Sequence, residues 1–139
     1  MLLSFCRVAI QILVSRAGNP ICPYCNKPAH LVSEEEWYGR AYDKLGRPRW
    51  VCWTCRASVG THPDGTPLGS LANQELSKAR IDAKRSLEEL FPNRKELYAW
   101  LSQHMGLPRK EAHVGMFSLE QCKRVVELCN EEERRRDSN

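Results

Sequence analysis

A chain of 139 residues and 16.0 kDa has room for one compact domain, or for two small subdomains on a shared core. Its 42% hydrophobic and 27% charged residues are ordinary for a globular protein and exclude disorder across the whole chain. The net charge of +4 is too mild to identify a nucleic-acid binder, but it is uneven: residues 1–70 hold eight Lys/Arg against five Asp/Glu, residues 71–139 thirteen against twelve.

The chain opens on MLLSFCRVAIQILV. No basic segment precedes this apolar stretch, Arg7 interrupts it and no A-x-A-like site follows, so it reads as no signal peptide. It is also too short to span a bilayer. Arg7–Val14 is expected to be a strand or short helix within an N-terminal extension over residues 1–18. A cytoplasmic protein is expected, with no membrane association. Seven cysteines, an odd number, then suit metal binding better than a disulfide framework.

Cys22-Pro-Tyr-Cys25 is on its own a redox motif, but that chemistry needs a helix starting at the motif. Asn26-Lys27-Pro28-Ala29 follows instead. Asn26 tolerates the left-handed backbone of a metal-binding knuckle, and Pro28 opposes a helix. Cys52-Trp-Thr-Cys55 appears after 26 intervening residues. Two C-x-x-C pairs at such a separation are the pattern of a tetrahedral zinc-thiolate site, each pair supplying half of the tetrahedron. Cys22, Cys25, Cys52 and Cys55 are therefore expected to hold one structural Zn2+, with no open position for catalysis. Between the pairs, Ala29–Ser33 and the aromatic Trp37–Tyr42 read as strands, and Lys44–Pro48 as a turn. Arg49–Trp53 and Ala57–Thr61 complete a zinc-ribbon-like antiparallel unit over residues 19–69.

The remainder reads as helical, over residues 70–136, with 137–139 as a tail. His62–Gly69 is dense in turn formers. Ser70 is expected to cap a helix from Leu71 to Leu90, with Ala72, Leu76, Ala79, Ala83, Leu87 and Leu90 on its apolar face. Asn93 starts a second helix ending near Met105, with Leu97, Trp100, Leu101 and Met105 as its core stripe and Gly106 and Pro108 as stops. Ser118-Leu-Glu-Gln121 is a capping box with Phe117 poised to staple against Cys122. The third helix is expected to run from Leu119 to about Arg134 and then fray. Cys122, Val125, Val126 and Cys129 share one face, as buried residues do. A second metal site from His104, His113, Cys122 and Cys129 is disfavoured, because the two cysteines lie two helical turns apart. The fold class is α+β: a zinc ribbon packed with about three helices.

CPYCNKPA, VGTHPDGTPLGSLANQEL and HVGMFSLEQCKRVVELC together resemble a family of small zinc-finger proteins from bacteriophages and prophages. The chain differs in its longer N-terminal extension and in having Asn26 where glycine is more usual. The resemblance implies a phage origin, a zinc-bound N-terminal part and no assigned enzymatic activity.

Function reads as binding rather than catalysis. Lys27, Arg40, Lys44, Arg47, Arg49 and Arg56 interleave with aromatic residues, among them Trp50 and Trp53, as a nucleic-acid interface does: cations meet phosphates and rings stack on bases. DNA or RNA is thus the expected partner. The competing expectation is an adaptor or inhibitor that binds a host or phage protein, suggested by the acidic Glu34-Glu35-Glu36 beside Trp37. A metal-dependent nuclease using His62 and Asp64 is the weakest reading, since no further His or Asn is spaced for a catalytic metal. No phosphate-cradling glycine loop or nucleophile elbow is present.

Overall fold

The computed structural model describes residues 12–16, 18–40 and 46–139. Three antiparallel strands come first, β1 (His30–Val32), β2 (Arg49–Cys52) and β3 (Ala57–Gly60), in the order β1-β2-β3. Register pairs Leu31 with Trp50, Trp50 with Val59 and Cys52 with Ala57, so β2 is central. His30 lies exposed on the edge strand β1. The N-terminal extension expected over residues 1–18 lies mostly outside the described residues; within them Val14 bridges Pro20, and the Ile21 amide donates to the Leu13 carbonyl at 2.7 Å.

Between β1 and β2 stands helix α1 (Glu34–Tyr38), where a strand over Trp37–Tyr42 was expected. Ser33 explains the difference. Its hydroxyl accepts the Glu36 amide at 3.1 Å, the three glutamates of the first turn complement the helix dipole, and Gly39 closes the turn at φ 77. Tyr42 and Lys44 lie outside the described residues.

Helix α2 (Gln74–Leu90) begins three residues later than expected and is capped by Asn73, not Ser70. The intervening chain is committed elsewhere: Ala72 bridges Ser58 of β3, and Leu71 is fully buried against the cysteine cluster. Asn73 then accepts the Leu76 amide at 2.9 Å. Helix α3 (Arg94–Met105) is capped by Asn93 and closed by left-handed Gly106. Helix α4 (Leu119–Asp137) starts from the expected capping box on Ser118 and Gln121. It outruns its expected end near Arg134 because Arg136 fastens it: Nη1 donates to the Leu90 carbonyl at 3.0 Å, and the guanidinium lies 4.9 Å from the Phe91 ring centroid.

Two buried clusters result. One gathers Ala83, Leu87, Leu97, Leu101, Phe117, Cys122, Val125 and Cys129 from the three long helices and the turn before α4. The other gathers Cys22, Ala29, Cys52, Ala57, Val59 and Leu71 around the cysteines. Arg80 stitches them together from α2, donating to the Ser70 carbonyl (2.8 Å), the Ser70 hydroxyl (2.7 Å) and the Phe117 carbonyl (3.1 Å). Among the described residues no helix is long and apolar enough to cross a membrane.

Candidate metal centre

Each cysteine pair sits on a tight knuckle built by backbone hydrogen bonds. In the first, the Cys22 amide donates to the Lys27 carbonyl at 2.9 Å and the Asn26 amide to the Cys22 carbonyl at 2.8 Å, while Ile21 bridges Pro28. The second is the β2–β3 turn, closed by the Cys52–Ala57 pair. The residue after the second cysteine takes the left-handed conformation in both, Asn26 at φ 60 and Arg56 at φ 54. Asn26 was legible from its side chain. Arg56 was missed, and its equivalent place in the C-x-x-C repeat was the available signal.

The four sulfur atoms all lie within 4.8 Å of one another. Cys25 Sγ and Cys52 Sγ are 3.7 Å apart, far beyond a disulfide bond of about 2.05 Å. Sulfurs about 2.3 Å from a central zinc stand roughly 3.8 Å apart at the corners of a tetrahedron, so the donor set and its spacing fit one zinc ion. Among the described residues this is the single such group, and His104, His113, Cys122 and Cys129 do not form another.

Electrostatics point the same way. The Lys27 amide, hydrogen-bonded to the Cys25 sulfur, holds that thiol below its usual pKa. Burial pushes Cys22 up, against the Tyr24 and Cys25 amides that favour its thiolate. Burial, helped by the neighbouring thiols, pushes Cys55 up to about 12. Charge on Cys22 and Cys55 is thus disfavoured in the bare cluster, and a zinc dication at its centre would supply the compensating charge for a thiolate set. With four protein sulfurs in place the zinc keeps no position for water, so its role is to hold the fold.

A model of a zinc-finger-containing domain, DUF3268, matches residues 19–132, most of the chain. The chain belongs to this zinc-finger family. Comparison with curated proteins and with solved structures finds no match.

The remaining site residues of this zinc-finger domain fall into distinct settings. Trp50 is half-buried against the cysteine cluster, and its indole N–H donates to the Gly65 carbonyl at 2.9 Å. Arg49 is half-buried too: Nη2 donates to the Ser58 hydroxyl at 3.0 Å, and the guanidinium lies 5.5 Å from the Tyr38 centroid. Both are occupied within the fold. Lys27, Arg40 and Arg56 are exposed and Arg47 is half-buried. Trp53 is 42% exposed, 5.1 Å from Trp37 between ring centroids, with the Arg56 guanidinium 5.9 Å from its own centroid.

Asp64 Oδ1 accepts the Thr66 amide at 3.0 Å and its hydroxyl at 2.6 Å, and these two bonds hold the carboxyl below the usual range. Asp64 thereby shapes the turn in which the His62 amide meets the Thr66 carbonyl at 2.8 Å.

Proposed function

We propose that this zinc-finger domain is a non-enzymatic binding protein whose partner is nucleic acid, contacted first by the knuckle surface. The observation that carries the reading is the setting of Trp53: a tryptophan on a knuckle turn that keeps 42% of its surface in solvent, with Arg56 beside it. Lys27 is exposed on the companion knuckle. An exposed ring stacks on an unpaired base for about 1–3 kcal/mol, and cations on both knuckles are placed to meet phosphates. Zinc holds these turns in shape and does no chemistry.

The test is fluorescence anisotropy of labelled single strands and duplexes of DNA and RNA at low salt. Binding that weakens about tenfold in Trp53→Ala, with one zinc retained, supports the reading. Undetectable binding to all four probes refutes it.

A protein partner is the second reading, favoured by Glu34, Glu35 and Glu36 on the first turn of α1, which carries Trp37 to its contact with Trp53. An acidic rim beside exposed aromatics suits a basic protein surface. The resemblance of CPYCNKPA and its companion segments supports a phage or prophage source, in which case the partner is met in bacterial cytoplasm. The nuclease reading has less support, since Asp64 already serves the turn; cleavage with Mg2+ or Mn2+ that is lost in His62→Ala would restore it.

A further inference from the structure

The cations of this chain differ in how they are neutralised. On α2, Lys84 pairs with Glu88 and Arg85 with Asp82, both at 3.9 Å. On α4, Arg124 reaches Glu127 at 3.2 Å, and Arg135 and Arg136 share Glu132. A separate exposed group consists of Arg94 and Lys95 at the start of α3 and Arg109 and Lys110 in the 3-10 turn that follows it. Among the described residues none of these four forms an ion pair, although Glu96 and Glu111 stand on the same two elements.

Two of the four are also held in place. The Arg94 and Arg109 guanidiniums lie 5.7 and 5.2 Å from the centroid of one ring, that of Tyr98, and Arg94 Nη2 contacts the Tyr98 hydroxyl at 3.3 Å. A guanidinium held against a ring is fixed in place while most of its N–H edge stays open, Arg94 spending only one donor on the Tyr98 hydroxyl. That edge is the one that grips phosphate through paired hydrogen bonds. Two like charges drawn to one ring without a carboxylate repel each other, and a polyanion laid across them relieves that repulsion. We propose that Arg94, Tyr98 and Arg109 form a second phosphate-contact surface, used by the same nucleic acid that meets the knuckles. The proposal rests on the nucleic-acid reading above and extends its footprint to the helical half.

The experiment measures binding of a labelled poly-dT strand of about 20 nucleotides to the full zinc-loaded chain as salt is varied. Each lost phosphate contact on a single strand makes the slope of log K against log salt shallower by about 0.7, which is about fivefold in affinity at 0.1 M salt. The double variant Arg94→Gln/Arg109→Gln is expected to bind about 25-fold more weakly at that salt, with a slope shallower by about 1.4. Arg94→Lys/Arg109→Lys is expected to keep the slope, and Lys123→Gln on α4 to keep both. All variants should retain one zinc and the parent's helical circular dichroism.

Parental affinity and slope in the double Gln variant, with binding still weakened about tenfold in Trp53→Ala, overturn this surface and leave the knuckle reading intact. Equal weakening by Lys123→Gln overturns it as diffuse charge. Competition by polyglutamate as effective as by unlabelled poly-dT overturns it in favour of an acidic protein partner. No binding by the parent chain refutes the nucleic-acid reading, and this surface with it.

Discussion

The phenolic oxygen of Tyr24 accepts the backbone N–H of Asn73 at 3.1 Å. Tyr24 lies between the two cysteines of the first knuckle, and Asn73 caps α2 through its bond to the Leu76 amide. One hydrogen bond thus joins the metal-binding turn to the start of the helix that packs most extensively on α4. Tyr24→Phe is expected to cost about 0.5–1.5 kcal/mol in urea unfolding while zinc stoichiometry stays at one. Asn73→Ala is expected to cost about 1 kcal/mol, and the double variant to depart from the sum, because both residues act on one helix end.

Gly69 and Gly115 bring the loop after β3 against the turn before α4. A Cβ on Gly69 would stand 2.1 Å from the Gly115 carbonyl oxygen, a backbone atom with nowhere to go, whereas a Cβ on Gly115 meets nothing nearer than 3.4 Å. Gly69→Ala should therefore destabilise by about 1–3 kcal/mol, and Gly115→Ala by much less. Thermal unfolding of the two variants checks the asymmetry.

Left-handed backbone costs an ordinary residue about 1–2 kcal/mol, and Arg56 adopts it at φ 54. Arg56→Gly is expected to raise stability by a few tenths to about 1 kcal/mol, since part of the relief returns as the flexibility of glycine in the unfolded chain. The same change should weaken nucleic-acid binding if Arg56 contacts phosphate. A variant that is more stable and binds less well would separate the two roles of this position.

The cysteine site was legible because ligand spacing is a local property of the chain. Strands β1 to β3, the start and end of α3 and the Ser118 box were readable for the same reason. Elsewhere two local signals competed, and the structure shows which won. The aromatic run at Trp37 suggested a strand, but Ser33-x-x-Glu36 carried the helix signature. Ser70 suggested the cap of α2, but the pairing of Ala72 with Ser58 holds the chain extended and moves the helix start to Asn73. Contacts distant in sequence left no trace to read: Arg136 with Leu90, Tyr24 with Asn73, Trp50 with Gly65. That last bond turned a candidate contact residue inward.

The end of α4 carries a pH dependence of its own. Hydrogen bonds from Arg135 first, then Arg136, depress the Glu132 carboxyl from 4.5 to about 2. A depressed carboxylate contributes stability above its unfolded pKa and loses it as pH falls through the folded one. The cluster should thus stay intact above about pH 4.5 and weaken progressively toward pH 2. Carboxyl chemical shifts of Glu132 with a midpoint near 4.5 would contradict this pairing.

Four thiolates and one zinc ion hold the N-terminal half in shape. Native mass spectrometry of freshly purified, reduced protein, read before and after a chelator, tests it most directly. One zinc per chain, with Cys22, Cys25, Cys52 and Cys55 protected from alkylation until the metal is removed and the sheet signal lost along with it, is the expected result. A metal-free mass in reduced, folded protein whose four thiols alkylate freely would contradict it.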